Sequence, residues 1–481
     1  MNDLKIQDAR PETPDAKLEA SCRVALLALF GGAALWLVIG SVFALIASLN
    51  FHMPGKFGDC AWLTYGRMWP AANDALIYGF GVPAGLGVAL WIFTQLGQAP
   101  LRDQIVPVTA ANLWHLGVFI GLLEVLSGNS TGFDWLEFQR GSSVLLFFAY
   151  VMLATWGMAN VAGRRDRALK PSHWFLLAAL LWFPWIYSTA NLFLVTSPVR
   201  GVAQQVIAWW FANNFTFVWT SLAGLGAAFY FLPKFAGRPL QSTYYALFAF
   251  FSLIWFGTFR GIPVGAPVPA WLPTLSLVNS ILLILPFIAV AIVFGQTVWK
   301  PLGAPCKGGP FCMVKFGTVA FLLSVLMLFV TGCPEFARLT QFTWWNTAQT
   351  ELQLYGFLAI TLFGAIYAIL PRAVALEFPF PKFIRLQHWC SVAGIVLVVA
   401  PLAIAGVLQG TKLGDANVGF PAVMNSTLMS LRVSTLGFAL ILLGNLLFAL
   451  NIFAMTLVWK TSLLKQVPGF ITAPLEGEVR S

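Results

Sequence analysis

Apolar residues along this chain are grouped into long runs that are separated by short polar loops. Because the hydrocarbon core of a bilayer is about 30 Å thick, a membrane-spanning helix needs about 20 apolar residues. A window of that length predicts about twelve spans, at residues 24–48, 74–97, 108–127, 140–162, 171–195, 206–233, 242–261, 275–299, 314–333, 350–370, 387–408 and 434–459. Residues 1–23 and 460–481 are predicted to be short tails of a single transmembrane domain, 24–459.

Composition indicates the same class of protein. Hydrophobic residues make up 59% of the 481 positions, charged residues make up only 10%, and the mean hydropathy is +0.79. A soluble domain carries a far more polar surface, so the sequence predicts an all-α, polytopic membrane protein. Sequence motifs for phosphate loops, nucleophile elbows and zinc proteases are absent. Any chemistry is therefore expected inside the bilayer.

The net charge of +10 comes from lysine and arginine residues that are concentrated in alternate loops. Membrane proteins keep such residues on the cytoplasmic side, and an even number of spans places both termini there. The expected sides are the cytoplasm for both termini, Arg164, Arg165 and Lys234, and the outside for Lys56, Arg200 and Lys412. Since the basic residues form no continuous stripe, no nucleic-acid partner is expected.

Polar side chains interrupt several predicted spans, and each needs a partner because an unsatisfied polar group in hydrocarbon is costly. Asn213 and Asn214 lie side by side in the sixth span, which suggests an internal site. Cys306 and Cys312 share a loop that is predicted to be cytoplasmic, where thiols stay reduced. Their spacing does not match a metal-binding motif.

Acidic residues near the span ends have more than one interpretation. Glu124 either handles protons or cations within the membrane or lies at its outer interface. Glu137 is predicted to form a salt bridge with Arg140. Glu335 and Arg338 are predicted to form a second, solvated pair that contributes little to stability.

Six segments in collinear order share one resemblance: YGRMWPAANDALIYGFG entering the second span, NLWHLGVFIGLLEVL in the third, WLEFQRG before the fourth, WWFANNFTFVW in the sixth, VPAWLPTLSLVNSILLILPF in the eighth and GFLAITLFGAIYAILPR in the tenth. Together they resemble subunit I of the cbb-type (C-type) haem-copper cytochrome c oxidases. The resemblance implies a haem-copper oxidase subunit I-like bundle with pseudo-threefold symmetry in the bacterial inner (plasma) membrane. It also implies membrane-anchored c-type cytochromes or other oxidase-like subunits as partners.

In the resembled family, six histidines hold haem b and copper, and neutral imidazole suits both metals. This chain has only four histidines, and none of them matches a ligand position: His52, His115, His173 and His388. The positions that match the family ligands are Ala72, Asn213, Gly261, Ile262, Asn346 and Ala348. Trp255 stands near the position of the active-site tyrosine. Because none of these side chains except asparagine can donate to a metal, and asparagine does so poorly, no haem, copper or other metal is predicted.

A vacated cofactor pocket has to be filled or closed, because an empty cavity destabilises the fold. Bulky residues near the matched positions are expected to fill it: Trp255, Phe259, Trp344 and Trp345. A hydrogen-bonded polar cluster is predicted among them, formed by Asn213, Arg260, Asn346 and Glu351. Within it Arg260 and Glu351 are expected to pair; in the alternative, each reaches water at its own end of the bundle.

Three functions are compatible with these observations. The first is a haem- and copper-free structural subunit of a respiratory electron-transfer complex. The second is an assembly or regulatory factor for a true oxidase, and the third is a relict proton- or ion-conducting protein. The resembled family consists of enzymes, but loss of all six ligands argues against catalysis by this chain alone.

Overall fold

The computed structural model describes residues 14–57, 59–299 and 309–471, and within these ranges the chain is helical without strands. Eleven helices there are long and apolar enough to cross a membrane. Together with a shorter apolar helix, α7, they are α1 Arg23–Leu49, α2 Tyr65–Gly97, α3 Ile105–Ser127, α4 Arg140–Ala162, α5 Pro171–Thr196, α6 Val202–Ala236, α7 Thr243–Thr258, α8 Trp271–Val298, α9 Pro310–Thr331, α10 Trp344–Val374, α11 Pro381–Leu413 and α12 Phe420–Ser462. The predicted all-α membrane class is confirmed.

The helices follow the predicted order, but several boundaries were wrong. α2 begins at Tyr65 and α10 begins at Trp344, nine and six residues before the predicted starts at 74 and 350. The added turns contain polar residues, so an apolar window excludes them. The predicted span at 242–261 is the 16-residue helix α7. The tails predicted at 1–23 and 460–481 lie partly outside the described residues, and Cys306 lies wholly outside them. Cys312 is a buried free thiol.

Three helices form the centre of the bundle. In their most apolar stretches, 94% of α2, 94% of α6 and 89% of α10 is buried, against 39% to 56% in the other eight long helices. They recur every four helices, as expected of three repeated groups. α6 approaches α10 closely at Gly224, where a Cβ atom would overlap the ring of Phe357. The interior is therefore built from these three helices.

Each central helix contains a π-helical segment within its length. π-helical segments occupy Ala75–Gly81 in α2, Asn214–Trp219 in α6 and Leu352–Ala359 in α10. A π turn contains an extra residue, so it rotates the side chains on either side of it relative to one another, and such turns are frequent at functional sites. The segments in α2, α6 and α10 begin one to three residues after Ala72, Asn213 and Glu351.

Hydrogen bonds between loops and helix ends show which of them lie at the same end of the bundle. At one end the backbone N–H of Arg165 donates to Gly97 O at 2.8 Å, and Arg23 Nε donates to Ala373 O at 2.6 Å. At the other end the backbone N–H of Trp344 donates to Gln409 Oε1 at 3.2 Å. This grouping agrees with the alternation of loops read from the charges. Which end faces the cytoplasm stays a prediction.

Candidate functional site

The loop after α7 and the helices α6, α9 and α10 enclose a cavity of about 260 Å³. Most of its walls are polar or aromatic, and none of the described residues that line it is acidic. The residues that line it include Asn213, Phe217, Arg260, Gly261, Trp345, Asn346 and Gln349. We call this space the arginine cavity.

Arg260 supplies the charge of the arginine cavity. Its Nη1 donates to Asn213 Oδ1 at 2.6 Å, and its guanidinium carbon lies 5.1 Å from the centre of the Phe217 ring. Its Nε–H is buried and has no hydrogen-bond partner. Burial lowers the pKa of Arg260 to about 10. The side chain therefore remains a cation at neutral pH.

The two asparagines of α6 fasten the C-terminal end of α7. Asn213 Nδ2 donates to Gly257 O at 2.8 Å, and Asn214 Nδ2 donates to Thr258 O at 3.1 Å. The last carbonyls of a helix have no partner within the helix, so these amides satisfy groups that hydrocarbon would leave exposed. The remaining oxygen of Asn213 is free to accept from Arg260.

Gly261 follows directly and has no room for a side chain. Its φ is +104°, and an added Cβ would lie 2.7 Å from the Cβ of Asn213. Its backbone N–H and that of Ile262 both donate to Ser276 Oγ, at 3.0 and 3.1 Å. This turn carries Arg260 into the cavity, and it leaves no space for a histidine at position 261.

A chain of amides and hydroxyls continues from the cavity into the bundle, and the sequence analysis missed it. Gln349 Nε2 donates to Ser324 Oγ at 3.2 Å, and Ser324 Oγ donates to Gln353 Oε1 at 2.9 Å. Gln353 Nε2 then donates to Thr220 Oγ1 at 2.9 Å and Ser221 Oγ at 3.1 Å. The detectable signal was two glutamines four residues apart in an apolar span, which places both on one helix face.

A second, smaller cavity of about 30 Å³ lies on another side of α10. Ala72, Glu351 and Tyr355 line it, together with residues of α1 and α12. Tyr355 Oη donates to Asn445 Oδ1 at 2.8 Å, and Asn445 Nδ2 donates to Ser41 Oγ at 2.7 Å. We call this space the carboxyl cavity.

The structure brings Asn213, Arg260 and Asn346 to one cavity but places Glu351 in the other. The predicted Arg260–Glu351 ion pair is therefore wrong. Ala348 lines neither cavity, whereas Gln349 and Glu351, two residues apart, open one into each. Of the predicted pair Asn346 and Ala348, only Asn346 lies at a cavity.

The aromatic residues expected to fill the interior are divided. Trp345 lines the arginine cavity, and Trp344 packs edge-on against Phe51 with ring centres 5.2 Å apart. Trp255 and Phe259 are 67% and 47% exposed. The prediction that these two fill the pocket is wrong, because they lie on the outward side of α7 and its C-terminal end.

Asp74 and Glu137 form a buried pair of carboxyl groups. Asp74 is fully buried and Glu137 is 8% exposed, and the two side chains are close enough to share a proton in a hydrogen bond. Burial raises the pKa of Glu137 to about 7. The predicted salt bridge between Glu137 and Arg140 is therefore replaced by an acid–acid contact, which the sequence analysis did not anticipate.

The other two acidic residues have local roles. Glu124 Oε2 accepts from the backbone N–H of Gln139 at 3.1 Å and from Ser142 Oγ at 2.5 Å. It thereby satisfies donors at the start of α4, as a capping side chain would. Glu335 and Arg338 are both exposed, and no salt bridge joins these two described residues, so their predicted pairing is wrong.

All four histidines lie in the described part of the chain, and none of them lines either cavity. His52 Nε2 lies 2.7 Å from Thr435 Oγ1, and His173 Nδ1 accepts from the backbone N–H of Lys170 at 3.1 Å. The remaining two are His115 in α3 and His388 in α11. Imidazole is thus placed away from both candidate sites.

The sequence model of the family described as Cytochrome C and Quinol oxidase polypeptide I matches residues 24–437. The match spans all of α1 to α11 and the first part of α12. This chain belongs to that family. A cytochrome c oxidase subunit 1 homolog of Azorhizobium caulinodans is 24% identical over 94% of this chain and 84% of its own length.

A cbb3-type cytochrome c oxidase subunit, CcoN1 of Stutzerimonas stutzeri, is 22% identical over 89% of this chain and 92% of its own length. Among solved structures, a haem-copper terminal oxidase dimer determined by cryo-EM superimposes with a TM-score of 0.65 at 12% identity. That match covers 90% of this chain and 84% of the oxidase chain. The chain is therefore a divergent oxidase subunit I-like membrane protein with the helical fold of that group.

Proposed function

We propose that this protein is a haem- and copper-free structural subunit of a respiratory electron-transfer complex in the bacterial inner membrane. The observation that carries the proposal is the 2.6 Å hydrogen bond from Arg260 to Asn213. The resemblance matches Asn213 to a copper ligand, so a fixed cation points at the place where a copper ion would sit. Repulsion between like charges in a medium of low dielectric constant opposes metal binding there.

The other side chains of the arginine cavity support the same proposal. Copper and haem iron are held in proteins by imidazole, thiolate or thioether groups, and the cavity offers amides, hydroxyls and aromatic rings instead. Gly261 matches a further ligand position, and no side chain fits there without displacing Asn213. The donor set and the space around it do not suit a copper–haem centre.

The carboxyl cavity gives separate support. It contains about 30 Å³, which is room for one or two water molecules. A porphyrin ring does not fit in that space, and Ala72 offers no ligand atom. The side chains of α1, α10 and α12 close the volume that the resemblance assigns to a second haem.

The partners we propose are membrane-anchored c-type cytochromes or other oxidase-like subunits. Two observations support this. The chain belongs to a family of oxidase subunits, and its Stutzerimonas relative is named as a subunit of a cbb3-type oxidase. A bundle that keeps the fold while its interior loses the ligands keeps helix faces that can contact such partners. In this proposal the protein contributes positioning rather than electron transfer.

The test is purification from its own membranes in mild detergent through an added affinity tag. We expect a haem-bearing partner in fixed stoichiometry and, once that partner is removed, neither a Soret band nor copper in the isolated chain. Stoichiometric haem b or copper on the isolated chain would contradict the proposal. Binding only to an oxidase that lacks its cofactors would identify an assembly factor, and ion flux in proteoliposomes of the isolated chain would identify a conductor.

The proposed orientation places both termini in the cytoplasm. Single cysteines at positions 165 and 412 test it with a membrane-impermeant thiol reagent on intact cells, after the exposed Cys60 and Cys333 have been replaced by serine. Labelling at 412 and protection at 165 is the expected result. The reverse pattern would invert the topology.

A further inference from the structure

The charge of Arg260 is unbalanced within the arginine cavity. The described lining residues include no carboxylate, and the hydrogen bond from Arg260 goes to a neutral amide. Arg260 is half-buried, and a cation that is partly removed from water without an opposite charge is destabilising. The cavity of about 260 Å³ beside it has several times the roughly 30 Å³ that one water takes up in the liquid.

Two N–H groups on lining residues also lack acceptors. The Nε–H of Arg260 and the indole N–H of Trp345 are buried and have no hydrogen-bond partner. Leaving a buried donor unsatisfied costs about 1–3 kcal/mol. The cavity therefore combines a cation with empty space, and two residues of its wall carry unpaired N–H groups.

We infer that the arginine cavity binds a small oxyanion of the carboxylate type, with Arg260 as its charge partner. A planar guanidinium matches the two oxygens of such an anion and is stronger than a neutral donor. Asn346 adds an amide to the wall. The inference is independent of whether the protein joins a respiratory complex.

The position of the cavity gives the ligand a route. Thr331, at the end of α9, and Trp345, in the first turn of α10, both line it. The cavity thus lies near the end of the bundle where those two helices are joined. An anion enters from that end without crossing the hydrocarbon interior.

The experiment measures thermal unfolding of the purified full-length chain in detergent, at constant ionic strength set with a sulfonate buffer salt. Acetate is the probe, and acetamide is its neutral counterpart of the same shape. We expect acetate to raise the unfolding midpoint saturably and acetamide to have no effect. Equal effects of the two, or a non-saturating effect that chloride reproduces, would overturn the inference without any variant.

Variants then locate the site. Arg260→Gln keeps a hydrogen-bonding side chain but removes the charge, and it should weaken acetate binding about tenfold or more, as loss of a charge-assisted hydrogen bond does. Arg200→Gln, in an exposed loop, is the matched control and should bind acetate like the parent protein. Unchanged binding in Arg260→Gln, or equal loss in both variants, would show that the anion binds elsewhere.

Discussion

The arginine cavity and the carboxyl cavity lie on two sides of the same helix, α10, yet one is about 260 Å³ and the other about 30 Å³. Both contain an ionisable residue, Arg260 in the first and Glu351 in the second. A carboxyl group can become neutral by taking up a proton, so apolar neighbours can close around it. A guanidinium group keeps its charge in proteins, and the space around it stays open. The sign of the charge thus accounts for the difference in volume between the two cavities.

The largest effect is expected from filling the turn that holds the arginine cavity open. Gly261→Ala places a methyl group 2.7 Å from the Cβ of Asn213 at a φ of +104°. Backbone strain of about 1–3 kcal/mol and crowding of about 1–3 kcal/mol should add, lowering the free energy of unfolding by about 2–6 kcal/mol. Thermal unfolding in detergent measures the loss.

Gly265→Ala is the control for that change. Gly265 also has a positive φ, +80°, but nothing lies within 4 Å of an added Cβ. This variant should show the strain without the crowding. Equal losses in the two variants would mean that the contact with Asn213 contributes nothing, and the arginine cavity would then not depend on this turn.

The second prediction concerns the buried acidic pair, Asp74 and Glu137. Burial raises the pKa of Glu137 from 4.5 to about 7, so the folded protein holds a proton that the unfolded chain releases between these values. Stability is therefore full below about pH 4.5 and declines as the pH rises to about 7. At 1.36 kcal/mol per pKa unit the decline is up to about 3 kcal/mol.

Comparison with Glu137→Gln isolates this contribution. The unfolding midpoint of the parent protein, relative to that of the variant, should fall between about pH 4.5 and about pH 7. Parallel curves for the parent protein and Glu137→Gln would show that Glu137 does not cause the pH dependence. The acidic pair would then respond to pH no more than Arg260 does.

The smallest effect is expected at Glu351. None of the described residues that line the carboxyl cavity is basic, so a charged carboxylate there has no balancing partner. Glu351→Gln keeps the shape and removes the ionisable group, and it should stabilise the protein by about 1 kcal/mol at pH 8. Glu377→Gln, at an exposed acid, should change the midpoint little. Destabilisation by Glu351→Gln would show that the carboxylate has a favourable partner.

The sequence predicted the number and order of the helices because each span carries enough apolar residues to be recognised without tertiary information. It also placed Asn213, Arg260 and Asn346 in one group, because the matching positions of the resembled family converge on one site. It could not assign Glu351 to its side of α10. Two residues along a helix separate Gln349 from Glu351 by about 200°, so an error of a few residues in matching moves a side chain to another cavity.

The contact between Asp74 and Glu137 could not be predicted from the sequence for a different reason. Glu137 and Arg140 are near in sequence, whereas Asp74 is distant, and only the packing of α2 against the loop before α4 brings Asp74 to Glu137. Trp255 and Phe259 were assigned to the interior because they are large and lie near positions that match the site of the resembled family. On a helix of 16 residues at the edge of the bundle, large apolar side chains can face outward, where lipid is as favourable a neighbour as protein.

The carboxyl cavity also dictates an order of events during biosynthesis. Phe438 and Ile441 of α12 form part of its wall, and Asn445 joins Tyr355 to Ser41 of α1. Until α12 leaves the translocon, this side of α10 is covered only by residues of α1 and α2. A nascent chain that stops before Phe420 would therefore leave the wall around Glu351 incomplete. α12 thus completes the cover of Glu351, and this part of the fold has to wait for its synthesis.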